Sequence, residues 1–182
     1  KIIVKGNVGD YLGNKMKGGK IIVNGSSSNY TGSSLKNGEI LITKNTGDFL
    51  GSSIQGEKSG MSGGTIIIKG NAGHRVGCKM RSGVICIKKN AKDFIGCQMI
   101  AGTIIVKGKI GSNAGLLMKR GTIILEKQKL SESYLNYNGK NNYIFLKVIQ
   151  RYLEKLNDEF KDIFPNTYIK KYLGDINCKG MG

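Results

Sequence analysis

Apolar residues recur in short triplets: Ile-Ile-Val at 2–4 and 21–23, Ile-Leu-Ile at 40–42, Ile-Ile-Ile at 66–68, Ile-Cys-Ile at 85–87, Ile-Ile-Val at 104–106 and Ile-Ile-Leu at 123–125. The steps between their first residues are 19, 19, 26, 19, 19 and 19. Gly13, Gly32, Gly51, Gly77, Gly96 and Gly115 keep the same steps, and so do Gly19, Gly38, Gly64, Gly83, Gly102 and Gly121. The one long step holds a seven-residue insertion within Ser52 to Gly64. A 19-residue unit with one β-branched triplet and several glycines has no room for a helix and two turns. It predicts a mainly β fold, a right-handed parallel β-helix of six to seven coils about 4.8 Å apart. Glycines are expected at the positive-φ corners.

Stacking turns equivalent residues into columns along the rod. Leu12, Thr31, Leu50, Val76, Ile95 and Ala114 form one expected interior column, and Met16, Leu35, Met61, Met80, Met99 and Met118 a second. The Met column reads as packing, because Met is a flexible gap-filler. Asn7, Ser26, Asn45, Asn71, Asn90 and Lys109 read as a turn ladder. The middle residues of the triplets, Ile3, Ile22, Leu41, Ile67, Cys86, Ile105 and Ile124, should face away from the interior. An outer apolar stripe wants a cover. A further column, Tyr11, Tyr30, Phe49, Arg75, Phe94 and Asn113, also reads as outward-facing and as a candidate partner-docking ladder.

The repeat occupies 1–125, and 126–182 is a C-terminal extension. Asn-Tyr-Asn-Gly at 136–139 reads as a turn. Phe145, Leu146, Ile149, Leu153, Leu156, Phe160 and Ile163 recur at three- and four-residue steps, predicting an amphipathic helix over 143–164, stopped by Pro165. That helix is expected to cover an outer stripe or close the end of the rod. Lys1 in place of Met, and an ending at Gly182 where another strand could begin, lead to the expectation of a longer natural chain.

Composition narrows the function. Lys and Arg total 29 against 12 Asp and Glu, a formal charge of +17. The basic residues are 25 Lys and only four Arg, set on turns. Direct base readout favours Arg, so a specific nucleic-acid role is not expected, and an acidic protein partner or anionic cosubstrate explains the charge more simply. No apolar run approaches the ~20 residues of a membrane helix. Four Cys without a secretory signal suit reduced thiols in a cytoplasmic protein. Cys78 and Cys97 occupy equivalent positions of adjacent coils and read as reduced neighbours.

Catalytic chemistry is thinly supplied. His74 is the single His, in the column Asp10, Asn29, Asp48, His74, Asp93 and Ser112. Asp48, His74 and Asp93 are the one candidate acid–base or cation site. The alternative is that this column accepts turn hydrogen bonds, and its period, that of the fold itself, favours the alternative. No phosphate-loop or C-x-x-C motif is present. No catalytic, cofactor-binding or metal-ligating residue is expected in this chain.

The pattern Gly-Asp-x-x-Gly-x-x-Met-x-Gly-Gly-x-Ile-x-Val-x-Gly, as in Gly9 to Gly25, resembles the GXGXG repeat of two groups. One is the β-helical subunit of formylmethanofuran dehydrogenase, with its formyltransferase/hydrolase relatives. The other is the C-terminal β-helix of glutamate synthase large subunits. The segment Tyr-Leu-Gly-Asp-Ile-Asn-Cys-Lys-Gly at 172–180 looks more like the first group. The resemblance implies a non-catalytic structural subunit supporting carbon dioxide reduction and formyl transfer to methanofuran in methanogenesis. A molybdenum or tungsten pterin and a binuclear metal centre would then sit in other protein subunits. The positive charge would suit the anionic tail of methanofuran. The alternative implied is a free-standing domain of the glutamate-synthase type, scaffolding ammonia transfer.

Overall fold

The computed structural model describes residues 1–126, strand residues 135–141 and 169–174, and helical residues 147, 148, 150, 151, 154 and 155. Each triplet is a strand: β1 (Ile2–Val4), β2 (Lys20–Val23), β3 (Glu39–Ile42), β4 (Ser62–Ile68), β5 (Ser82–Ile87), β6 (Thr103–Val106) and β7 (Thr122–Leu125). Each pairs with the next in parallel, with Ile21 opposite Ile40, Ile40 opposite Ile66 and Ile66 opposite Ile85. The molecule is therefore a parallel β-solenoid of about seven coils. The insertion leaves the pairing intact and shifts the register only between Ser62 and Thr65.

The first and third residues of most triplets point inward, and Ile40, Ile42, Ile66, Ile68, Ile85 and Ile87 are closed to solvent. The Leu50 and Met80 columns form two more walls, with Leu35, Leu50, Met61, Val76, Met80, Ile95 and Met99 all at zero exposure. A further wall escaped the sequence reading. Val8, Ser27, Thr46, Ala72, Ala91 and Ile110 line up beside short parallel bridges. Two of its members are polar, and the buried Ser27 hydroxyl donates to Thr46 Oγ1 at 2.9 Å. Each hydroxyl thus finds a partner in its own column, which offsets the cost of burying it.

Two expectations are corrected. The middle residues of the triplets are not an open stripe. Leu41, Ile67, Cys86, Ile105 and Ile124 are buried within the single chain, Ile22 is half-buried, and Ile3, at 53% exposure, is open. The Asn136–Gly139 segment is not a turn between elements. It lies inside β8 (Leu135–Asn141), whose pairing with β9 (Ile169–Gly174) shifts register between Tyr137 and Lys140. Asn-Gly marks an irregularity in a strand here rather than its end.

β9 runs antiparallel to β7, and β8 antiparallel to β9, so the sheet order is β1-β2-β3-β4-β5-β6-β7-β9-β8. The last coil's edge is thereby covered by the extension's strands, which removes an exposed pairing edge. Of the expected helix over 143–164, the six described residues are helical, and the Gln150 amide donates to Glu154 at 2.8 Å. Its apolar positions Phe145, Leu146, Ile149, Leu153, Leu156, Phe160 and Ile163 lie outside the described residues. No helix among the described residues is long and apolar enough to cross a membrane.

Candidate functional site

The flank that carries the candidate ladder is built from an unusual backbone. Positive φ angles fall on alternate residues, as at Arg75 (57°), Gly77 (64°) and Lys79 (56°). Tyr11, Tyr30, Phe49, Phe94 and Asn113 share the Arg75 conformation, with φ between 55° and 63°. The sequence reading assigned such angles to glycine alone. The alternation sends successive N–H groups in opposite directions along the rod. Arg75 N donates forward to Asp93 O at 2.9 Å, and Gly77 N donates back to Leu50 O at 2.7 Å. Every coil is thereby tied to both neighbours, which offsets the ~1–2 kcal/mol that a left-handed non-glycine residue costs.

The outward side chains stack at the rung spacing. The Tyr11 and Tyr30 rings lie 4.9 Å apart and 10° from parallel, and those of Tyr30 and Phe49 lie 4.6 Å apart at 3°. Arg75 then sits between two rings, 6.0 Å from Phe49 and 5.1 Å from Phe94, within cation–π range. Tyr11 is 50% exposed, Arg75 is exposed, and Tyr30, Phe49 and Phe94 are half-buried. All five predicted residues therefore form one continuous ladder. Asn113 continues it at the far end and is exposed.

The adjoining column does the work of turns. Asp10 Oδ1 accepts the Asn29 N–H, Asn29 Oδ1 the Asp48 N–H, Asp48 Oδ1 the His74 N–H and Asp93 Oδ1 the Ser112 N–H, each at 2.8 Å. Asp48, His74 and Asp93 are brought together, with His74 Nδ1 3.4 Å from Asp93 Oδ2. Each carboxylate already holds a backbone N–H of the next coil, so the geometry favours a structural column over an acid–base pair. The Asn7 column repeats the device, with Asn71 N–H on Asn45 at 2.9 Å and Lys109 N–H on Asn90 at 2.8 Å.

The Ser112 N–H and hydroxyl, then the charge of His74, hold the Asp93 carboxyl below its usual value of 3.8. Its contribution to stability is present above the unfolded carboxylate range, near 4, and is lost as pH falls through the lower folded value. Ser112→Ala should raise the Asp93 pKa seen by NMR titration, with a residual depression from the backbone N–H. An unmoved titration would show that the hydroxyl plays no part.

The seven-residue insertion is a latch that the sequence reading left without a role. Glu57 reaches back to accept a hydrogen bond from Ser34, one coil earlier, and pairs with Lys15, two coils earlier, at 2.7 Å. The Lys15 bond, then the Ser34 bond, lower the Glu57 pKa. Only the insertion's placement in one coil hinted at this, since solenoid insertions gather on one face.

The charge is also more ordered than the sequence reading allowed. Residues 1–126 carry 19 Lys and Arg against six Asp and Glu. Glu39, Glu57 and Glu126 pair with Lys20, Lys15 and Lys107. Four of the six positions just past the Met wall are basic and exposed, Lys17, Lys36, Arg81 and Lys119, with Ser62 and Ile100 at the other two. Among the described residues no group of three or more His, Cys, Asp or Glu side chains is arranged to hold a metal ion.

A parallel β-solenoid with a stacked outer ladder and a basic face defines a repeat protein built to present columns of side chains. The model of the GXGXG motif family matches residues 1–175, and the chain belongs to that family. Among solved structures, it is similar to a chain of the formyltransferase/hydrolase complex from Methylorubrum extorquens, in complex with methylofuran. Identity is 32%, the TM-score 0.82, and the match covers 96% of this chain and 65% of that one. Both findings agree with the resemblance to the β-helical subunit group of formylmethanofuran dehydrogenase. Among curated proteins none matches.

Proposed function

We infer that this chain is a structural subunit of a formyl-transferring complex of the formylmethanofuran type, holding catalytic subunits together rather than reacting itself. The observation that carries this reading is the 32% identity over 96% of the chain to a component of a formyltransferase/hydrolase complex. The ladder Tyr11, Tyr30, Phe49, Arg75 and Phe94 would be the anchor for a partner subunit, since aromatic residues and Arg dominate the energy of protein interfaces. The basic positions Lys17, Lys36, Arg81 and Lys119 call for acidic surface on a partner, or for the anionic tail of a methanofuran-type cosubstrate. Pterin-bound molybdenum or tungsten and a binuclear metal centre belong, in this reading, to the partners. So does any reduction of carbon dioxide, in a cytoplasmic complex.

Affinity capture of the chain from its native cell extract, followed by identification of the co-purifying subunits, tests this. Recovery of formyl-transferring and amidohydrolase-like subunits is expected. Recovery of glutamate synthase components would replace the reading with an ammonia-transfer scaffold. Capture should also weaken steeply as ionic strength rises, because exposed charges are screened within about 10 Å at 0.1 M salt.

A further inference from the structure

Cys78 and Cys97 occupy the same position in consecutive coils, one rung apart. Each follows a positive-φ glycine and precedes a positive-φ residue, so both sit at stiff, identical corners. Backbone bonds fix the spacing between them: Lys79 N donates to Cys97 O at 2.9 Å and Gly96 N to Val76 O at 2.8 Å. Both thiols are free, and each shifts the titration of the other. A rung of about 4.8 Å lies within the Cα separations that a disulfide spans. Both cysteines are buried, yet Cys78 and Cys97 keep 8% and 4% exposure where Ser33 and Ser52, earlier in the same column, keep 0% and 1%; Leu116, the next member after Cys97, is half-buried. Arg75 and Lys79 place positive charge beside the pair.

We propose that Cys78 and Cys97 form an oxidation-sensitive dithiol that closes to a disulfide between two coils when the protein meets a small peroxide. The Cys97 sulfur is the nucleophile. The neighbouring Cys78 thiol, then the charges of Arg75 and Lys79, favour its thiolate and lower its pKa to about 7. That sulfur attacks one peroxide oxygen, the O–O bond breaks, and the departing hydroxide takes a proton to become water. Cys97 is then a sulfenic acid. The Cys78 sulfur gives up its proton and attacks the Cys97 sulfur. The S–S bond forms, the S–O bond breaks, and a second water leaves. Two thiols lose two electrons, and one peroxide is reduced to two waters. Cys86 is the internal contrast: it is fully buried, and burial pushes its thiol up to about 12. It is unreactive under the same conditions.

The test treats the intact, reduced chain with dilute hydrogen peroxide, then blocks remaining thiols and maps peptides without reduction. The expected product is a Cys78–Cys97 cross-linked peptide, with a mass loss of about 2 Da and reversal by dithiothreitol. Cys97→Ser should abolish the link, and Cys78→Ser should leave Cys97 to trap a dimedone-type sulfenic acid probe. The wild-type map decides the question alone if either variant misfolds. Cys78 and Cys97 both recovered as blocked thiols, or carried separately to higher acids with no cross-link, would overturn the proposal.

Discussion

Replacing Gly77 with alanine should destabilise the fold by about 3 kcal/mol. Two costs add there. The backbone is left-handed at φ 64°, which penalises any residue with a Cβ by ~1–2 kcal/mol. The added Cβ would also lie 2.6 Å from Ile104 Cδ1 and 3.6 Å from Ile85 Cδ1. Overfilling a packed core costs roughly 1–3 kcal/mol, and the stiffer unfolded chain returns about 0.5 kcal/mol. A fall in Tm of roughly 6–12 °C follows for a chain of this size. Arg75→Ala is the matched control. Its φ is 57°, but a side chain is already accepted there and points to solvent, so the loss should stay near ~1 kcal/mol, that of a cation–π contact. Equal losses for the two variants, measured by denaturant unfolding, would show that the inward contact with Ile104 does not govern this column.

The second large effect concerns assembly. Tyr30→Asn with Phe49→Asn should weaken association with partner subunits by at least about 30-fold, because interface aromatics commonly cost ~2 kcal/mol or more on truncation. Asn is the informative replacement. Asn113 holds the same column position at φ 55°, so the backbone accepts it. The ring stack lost within the chain is worth about 1 kcal/mol per pair, which leaves the coils folded. Circular dichroism of the variant should therefore match that of the parent while capture of partners falls. Undiminished capture would remove the ladder from the interface.

The repeat was legible because every coil obeys one period. Ile21, Ile40, Ile66, Ile85, Ile104 and Ile123 could be aligned by counting, and their burial followed from alternation. The ladder was legible for the same reason, since stacking places Tyr11, Tyr30 and Phe49 on neighbouring rungs. What escaped depended on directions that a one-dimensional pattern does not carry. Nothing in Tyr11, Arg75 or Leu117 announces a positive φ, because it is the hydrogen bonding of adjacent coils that imposes it. Lys17, Lys36, Arg81 and Lys119 share one position of the repeat, but Ser62 and Ile100 interrupt them, so charge counted along the chain looked scattered. The β9 strand was missed because its partner, β7, lies 45 residues earlier at the nearest pair, Leu125 and Lys170. The middle residues of the triplets show the opposite failure. Leu41 and Ile67 were read correctly as apolar and outward, but the single chain already buries them.

The most direct test of scaffolding is native mass spectrometry of the assembled complex, prepared with and without this chain. A structural subunit predicts that omission abolishes the assembly and releases the partners, and that adding the 19.7 kDa chain back restores it. Partners that remain together and fully active in its absence would contradict a scaffolding role.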